Sequence, residues 1–380
     1  MTALTDAWVP ATDEPVRRSG PSPLGLVARG IFGLALVGAL LAPMLTIDFA
    51  QACSLAAIYA IVGLSLNIII GYTGQLSLGH QGFLGLGALT AANVVYQANL
   101  PFAVGLVTAV ATSTAAAVLI GLVALRITGL YLSLITLVFG VTIASSLLSL
   151  GSFTRHGSGV PANRPQLVQS NARYYLLCLL FLLLVYLIDV RLTRSKTGRA
   201  LLAIKENERV AEAFGIAVVR YKLIAFALSG AIAGLAGGLF AFRTQSYSPQ
   251  DFTETGLALA LLFVVMVVVG GLGDRLGVLV AGAFFALLSY LLDRLFLDVH
   301  WFRHLAEQIP VIKGYYGTNK GAMAGLLGAL LLLQTLIFNP AGLGGQLKPF
   351  SRWLAGKKFT LHDESAGAGP TAVEGSSVRA

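Results

Sequence analysis

The chain has 380 residues, of which 56% are hydrophobic and only 11% charged, and its formal net charge is +9. Water-soluble domains carry charge on about a quarter of their residues, whereas the 77 positions between Asp48 and Arg126 hold no Asp, Glu, Lys or Arg at all. That segregation excludes a soluble fold, and the scatter of basic residues over loops and tails fits membrane topology control better than nucleic-acid binding.

Residues 1–26 contain Pro10, Pro15, Pro21 and Pro23 with little apolar content, which predicts a disordered tail. The apolar run behind it is long and followed by many others, so it reads as a retained anchor and not as a cleaved signal. A crossing needs about 20 apolar residues. Such runs lie near 28–47, 51–70, 78–97, 102–125, 130–150, 173–190, 222–243, 254–273, 277–297 and 321–338. They are continuously apolar without period-two alternation, so helices are expected, not barrel strands. The fold expected is an all-α polytopic bundle of about ten spans, occupying 27–345, with a Gly-, Ala- and Ser-rich cytoplasmic tail over 346–380.

Placing the N-terminus in the cytoplasm puts 18 of the 26 Lys and Arg residues on that side, so the chain reads as N-in, C-in. The loops 151–172 and 298–320 then face outward. Two glycine-rich interruptions, Gly71–Gly74 and Gly270–Gly273, each follow an out-to-in crossing and hint at a duplicated unit.

Within the uncharged stretch, NIIIGYTGQLSLGHQGFLGLGALT from Asn67 to Thr90 concentrates polar side chains and glycines. Burying such groups in hydrocarbon is costly unless they are hydrogen-bonded or face water. The pathway candidates are Asn67, Gly71, Gly74, Gln75, Ser77, Gly79, His80 and Gln81. Two readings stand side by side: a broken helix beside a solute pathway, and a tight packing seam, for which Gly79, Gly82 and Gly85 supply small residues at three-residue spacing. His80 by itself reads as a packing or hydrogen-bonding residue, not as a proton carrier.

The connection RSKTGRALLAIKENERVAEAFGIAVVRYKLIAF, from Arg194 to Phe226, is the richest in charge. A wheel over 197–216 puts Leu201, Ala203, Ile204, Val210, Ala211 and Phe214 on one half and Lys205, Glu206, Arg209 and Glu212 on the other. One amphipathic helix is expected, started by Thr197 and stopped by Gly215. Its polar face mixes both signs, which favours a docking element for a cytoplasmic partner over a helix lying on headgroups.

The chain resembles the permeases of branched-chain amino-acid ABC importers, in particular the LivM-like subunit. GYTGQLSLGHQGFLGLGAL at 71–89, RITGLYLSLITLVFG at 126–140 and TGRALLAIKENERVAEAFGI at 197–216 carry the resemblance. KLIAFALSGAIAGLAGGLFA at 222–241 and NPAGLGG at 339–345 support it. It implies a multi-pass subunit of a bacterial inner membrane, paired with a second, similar permease. Two cytoplasmic ATPase subunits would bind the ATP, and an external solute-binding protein would deliver substrate. Arg199, Glu206, Asn207, Ala211, Glu212 and Gly215 would lie where the membrane subunit meets its ATPase. The family's substrates extend from branched-chain to other amino acids, urea and amides. The charged loop 298–320 and the tail after 345 depart from a typical member.

No G-x-x-x-x-G-K-[ST] phosphate loop occurs, so the chain is expected to be no enzyme and to hold no cofactor of its own. Asp48, Asp189, Asp251, Glu254, Asp274 and Asp293 fall at or near predicted span ends, which argues against an ion-coupled carrier. Cys53 and Cys178 read as small core residues. His300 and His304, four apart near Asp298, read as part of an ordinary loop or interfacial helix, not as metal ligands.

Overall fold

A computed structural model describes residues 42–298, with interruptions at 125–128, 147–149, 155–158, 249–251 and 253–255. In chain order the helices are α1 (Ile47–Thr73), α2 (His80–Tyr96), α3 (Phe102–Ala124), α4 (Leu130–Ser145) and α5 (Asn171–Arg194). Two short ones follow, α6 (Lys196–Glu206) and α7 (Glu208–Ala213), then α8 (Val218–Thr244), α9 (Gly256–Gly270) and α10 (Arg275–Asp298). A two-residue antiparallel ladder joins β1 (Val160–Pro161) to β2 (Ser246–Tyr247). Each of the eight expected apolar segments from 51–70 to 277–297 thus holds a helix among the described residues. Those at 28–47 and 321–338, both tails and the loop 298–320, with His300 and His304, lie outside the described residues.

Among the described residues, four helices are long and apolar enough to cross a membrane alone: α1, α3 over Phe102–Leu122, α5 and α8. They differ in what surrounds them. α1 is apolar on every face, as a helix enclosed by others must be, and 89% of its apolar window is buried, against 17% for α5. α5, α8 and α10 pack around α1, and α8 also packs on α2 and α3. The outward faces of α4 (Tyr131, Leu134, Val138) and α5 (Leu180, Leu183, Leu187) expose large apolar side chains where a soluble protein would place charge. Small residues set the tightest crossing. A Cβ added to Gly87 on α2 would fall on the backbone carbonyl of Gly234 on α8, so these helices meet backbone to backbone.

The bundle has two distinct ends. At one, Arg243 near the end of α8 donates to the carbonyl of Gln51 in the first turns of α1 (3.1 Å), at the end that also holds the β1–β2 ladder. At the other lie the end of α1, the start of α10 and the α6–α7 pair.

Segment 78–97, expected as a full crossing, is different. His80, the first residue of α2, bonds Ser229 of α8, which in turn bonds Ser65 of α1. Ser65 stands eight residues before the end of α1, or about 12 Å along the axis at 1.5 Å per residue. α2 therefore begins inside the bundle, and residues 74–79 return from the end of α1 to that depth. Six residues reach about 20 Å when extended, so the return is well within the chain's span.

Candidate functional site

The break between α1 and α2 starts at Gly74, whose φ of 70° lies in the left-handed region where a side chain would be strained. Its N–H closes back on Ile70 (3.2 Å), and that of Gln75 on Ile69 (3.3 Å). Two further backbone groups find partners across the bundle. Leu78 N–H donates to Thr136 Oγ1 on α4 (3.0 Å), and the Gly71 carbonyl accepts from Lys205 Nζ on α6 (2.8 Å). A broken helix at membrane depth survives only when its backbone is covered in this way.

The eight pathway candidates do not form one pocket. Asn67 is fully buried and accepts from Gly273 N–H (2.9 Å), and a Cβ on Gly71 would meet Gly273 N at 2.8 Å. The two glycine-rich interruptions seen in the sequence are therefore in contact. Ser77 Oγ lies 3.3 Å from His80 Nδ1, and His80 Nε2 lies 2.8 Å from Ser229 Oγ, with Phe83 edge-on at 5.7 Å. His80 is thus a packed, hydrogen-bonded residue, as expected. Gly79 presses on the Thr136 backbone and Gly82 on Gly140 Cα (2.9 Å for an added Cβ), so a packing seam with α4 and a break coexist.

Two glutamines stand apart. Among the described residues Gln75 Oε1 and both amide heteroatoms of Gln81 are buried without a hydrogen-bond partner. Gln81 is 1% exposed and lies against Gly140. An unpaired buried amide costs about 1–3 kcal/mol.

Below the break, a cleft of about 360 Å³ separates Thr73, Gly74, Gln75 and Leu76 from Lys205, Glu206, Asn207 and Glu208. The far wall corrects the expectation of one helix over 197–216. Asn207 is extended and splits the segment into α6 and α7, because its Oδ1 takes the free N–H groups of Arg209 (3.1 Å) and Val210 (3.2 Å) and so starts a new helix. Thr197 is not the first cap either. α6 begins at Lys196, and Ser195 Oγ accepts from Gly198 N–H (3.2 Å). Gly215 does stop α7, with φ 79°.

The split also turns the apolar face. Leu201, Ile204 and Ala211 are buried as the wheel requires, but Val210 is 48% and Phe214 82% exposed. Arg199, Glu206, Asn207, Glu212 and Gly215 are exposed too, whereas Ala211 is buried. Behind this unit, Glu208 pairs with Lys222 at the start of α8 (2.7 Å).

Asp189 falls near a span end, as expected, but is not exposed there. It lies five residues from the end of α5, yet it is 0% exposed. Arg275 at the start of α10 pairs with it, Tyr72 donates to it (2.9 Å), and Arg275 also reaches Thr193. At the β1–β2 end, buried Arg164 donates to the carbonyls of Phe242 (2.7 Å) and Arg243 (2.6 Å) and to Asn171 Oδ1 (2.8 Å), its guanidinium 4.1 Å above the Tyr174 ring. Burial lowers its pKa from the usual value without discharging it. Sequence reading missed Lys205, Arg275 and Arg164 as tertiary links. Lys205 was visible only as one of several polar-face charges, and the other two carry no local signal.

The family model described as "Branched-chain amino acid transport system / permease component" matches residues 49–306, more than half of the chain. The chain belongs to this permease family. The permease is 35% identical over 252 residues to the high-affinity branched-chain amino acid transport system permease protein LivM of Salmonella typhimurium, covering 59% of each chain. It is 34% identical over 264 residues to LivM of Escherichia coli, covering 62% of this chain and 61% of that one. A probable branched-chain amino acid transport permease protein LivH of Methanocaldococcus jannaschii is 29% identical over 167 residues, covering 44% and 45%. The matched region spans about three fifths of the length of the LivM relatives. No solved structure matches. The family read from the motifs at 71–89, 126–140 and 197–216 is the one found, and the permease is a multi-pass membrane protein.

Proposed function

We propose that this chain is one membrane subunit of an ATP-driven ABC importer for branched-chain or related amino acids, in a bacterial inner membrane. In this reading it crosses about ten times with both termini in the cytoplasm and pairs with a second permease of the same family. Two cytoplasmic ATPase subunits supply the energy, and an external binding protein supplies the solute. The chain itself carries no ATPase chemistry. The family match supports the class, and the similarity to the LivM branched-chain amino acid permeases supports the substrate.

One observation carries the role assigned to α6 and α7. Phe214 and Val210 stand exposed beside Glu212 on a short unit whose underside is packed against the bundle. An exposed aromatic at the end of a braced helix pair is the shape of a knob for a partner's groove. Driven by the ATPases, movement of this knob would open the pathway beside the break at 74–79 to alternate sides. Half-helices starting in mid-bundle are the usual location of such pathways. The pairing of Asp189 with Arg275 supports an external motor as well, since among the described residues the one fully buried carboxylate already carries its own counter-charge.

The test is to purify the chain with its partners, reconstitute the complex and follow tritiated leucine. ATP should drive accumulation, and a sodium or proton gradient alone should not. Glu212→Lys changes an exposed side chain and should leave insertion intact while cutting ATP-driven uptake about tenfold or more. Uphill uptake by the isolated chain, or normal uptake by both Glu212→Lys and Phe214→Asp, would remove this reading.

A further inference from the structure

The α6–α7 unit is attached to the bundle in three ways that differ in what they connect. Its apolar underside, Leu201 and Ile204, holds it in place, and such packing is non-directional. The Glu208–Lys222 pair ties α7 to the first turns of α8. The third attachment is Lys205, whose ammonium donates to the Gly71 carbonyl at 2.8 Å.

Gly71 is where three elements meet. It lies in the last turn of α1, whose final carbonyls have no partner within the helix. Partial negative charge gathers there, so an ammonium is favoured. A Cβ on Gly71 would touch Gly273 in the turn between α9 and α10 and would clash with Asn67. Three residues on, Gly74 begins the break that returns to His80. Lys205 itself is exposed, so water could serve it equally well and the core does not need its charge. Its contact with a helix terminus 134 residues away is therefore not a requirement of burial, and it joins α6 to the end of α1.

The second charged attachment completes the geometry. From Gly71 back to Ser65 is six residues and from Lys222 to Ser229 is seven, so each link lies about 9–11 Å along a rigid helix from the crossing at which His80 is held. A displacement of α6–α7 thus acts on both helices that clasp the start of α2.

Resting on the importer reading, we propose that Lys205 is a positioning residue for transport: its ammonium conveys the movement of α6–α7 to the end of α1 and so to the break at 74–79. The Glu208–Lys222 pair acts in parallel on α8.

The test uses the complete complex, purified through this chain and reconstituted in vesicles, with ATP hydrolysis and ATP-driven uptake of tritiated leucine measured on the same sample. Lys205→Met keeps most of the stem and removes the donor. Lys205→Arg keeps a charged donor. The expected result for Lys205→Met is uptake reduced about tenfold with hydrolysis held within about twofold, so that more ATP is spent per leucine. Lys205→Arg should retain at least about half of the uptake. An unchanged ATP-to-leucine ratio in Lys205→Met overturns the proposal, whether both activities persist or both fall together, as they would for a residue that only supports folding. Equal loss in the two variants overturns it as well. Failure of the unaltered complex to accumulate leucine with ATP removes the importer reading itself, an outcome visible before any variant is compared.

Discussion

At the β1–β2 end, Arg164 places three donors on three acceptors and its planar face on Tyr174. In the half that holds the break, Gln75, Gln81 and Asp189 each keep at least one buried polar atom without a partner among the described residues. Fully satisfied networks rigidify their surroundings, and partly satisfied ones raise the energy of the arrangement that contains them. One end is thus built to stay as it is, and the other holds groups that a second arrangement can serve better. On the importer reading, a protein that alternates between two states would concentrate the change around the break and the α6–α7 pair, with the β1–β2 end as the fixed reference.

The strongest way to break that contrast is through the buried ion pair. Arg275→Met leaves Asp189 fully buried without its counter-charge and should lower stability by about 3–5 kcal/mol. Thermal unfolding in detergent would show it, and adding Asp189→Asn should recover part of the loss. An unchanged melting temperature would mean that the pair contributes nothing. Next in size comes Arg164→Met, which strands the carbonyls at the end of α8 and should cost about 2–3 kcal/mol. Its functional signature must differ from that of Lys205→Met. Uptake should fall only with the amount of folded complex, leaving the ATP-to-solute ratio as it was. A changed ratio would place moving parts at the β1–β2 end and undo the comparison.

How much of this could be read from the chain follows from the range of each interaction. Helices α1 to α5 and α8 to α10 were legible because twenty apolar residues have few other stable forms, and the family was legible because its motifs are long and ordered. The break was legible too, since glycine and polar side chains inside an uncharged run must be reconciled with hydrocarbon. The depth at which α2 starts was not, because it is fixed by Ser65 and Ser229, 164 residues apart and each unremarkable in an apolar helix. Asn207 was misread for a related reason. A helical wheel assumes one axis, and an Asn that captures two N–H groups ends that axis and turns Val210 and Phe214 outward. Asp189 illustrates the limit of counting from span ends. Its place near the end of α5 agrees with that count, but its burial against Arg275, 86 residues later, has no local signal.

The smallest effect on stability should carry the sharpest information. Gln81 packs its amide against Gly140 with neither heteroatom bonded to a described residue. Replacing an unsatisfied buried polar group by an apolar one of similar shape is neutral or stabilising, so Gln81→Met should shift stability by no more than about 1 kcal/mol, and upward if at all. If the amide is kept because the other state of the transport cycle uses it, uptake of tritiated leucine should nonetheless fall severalfold. The pairing of a more stable protein with a slower one cannot arise from a residue that serves packing alone. A lowered melting temperature would show that the amide is bonded in the resting protein after all, and unchanged uptake would leave it as ordinary core. Either result would move the boundary between the fixed and the moving half below α2, to the cleft between the break and α6–α7.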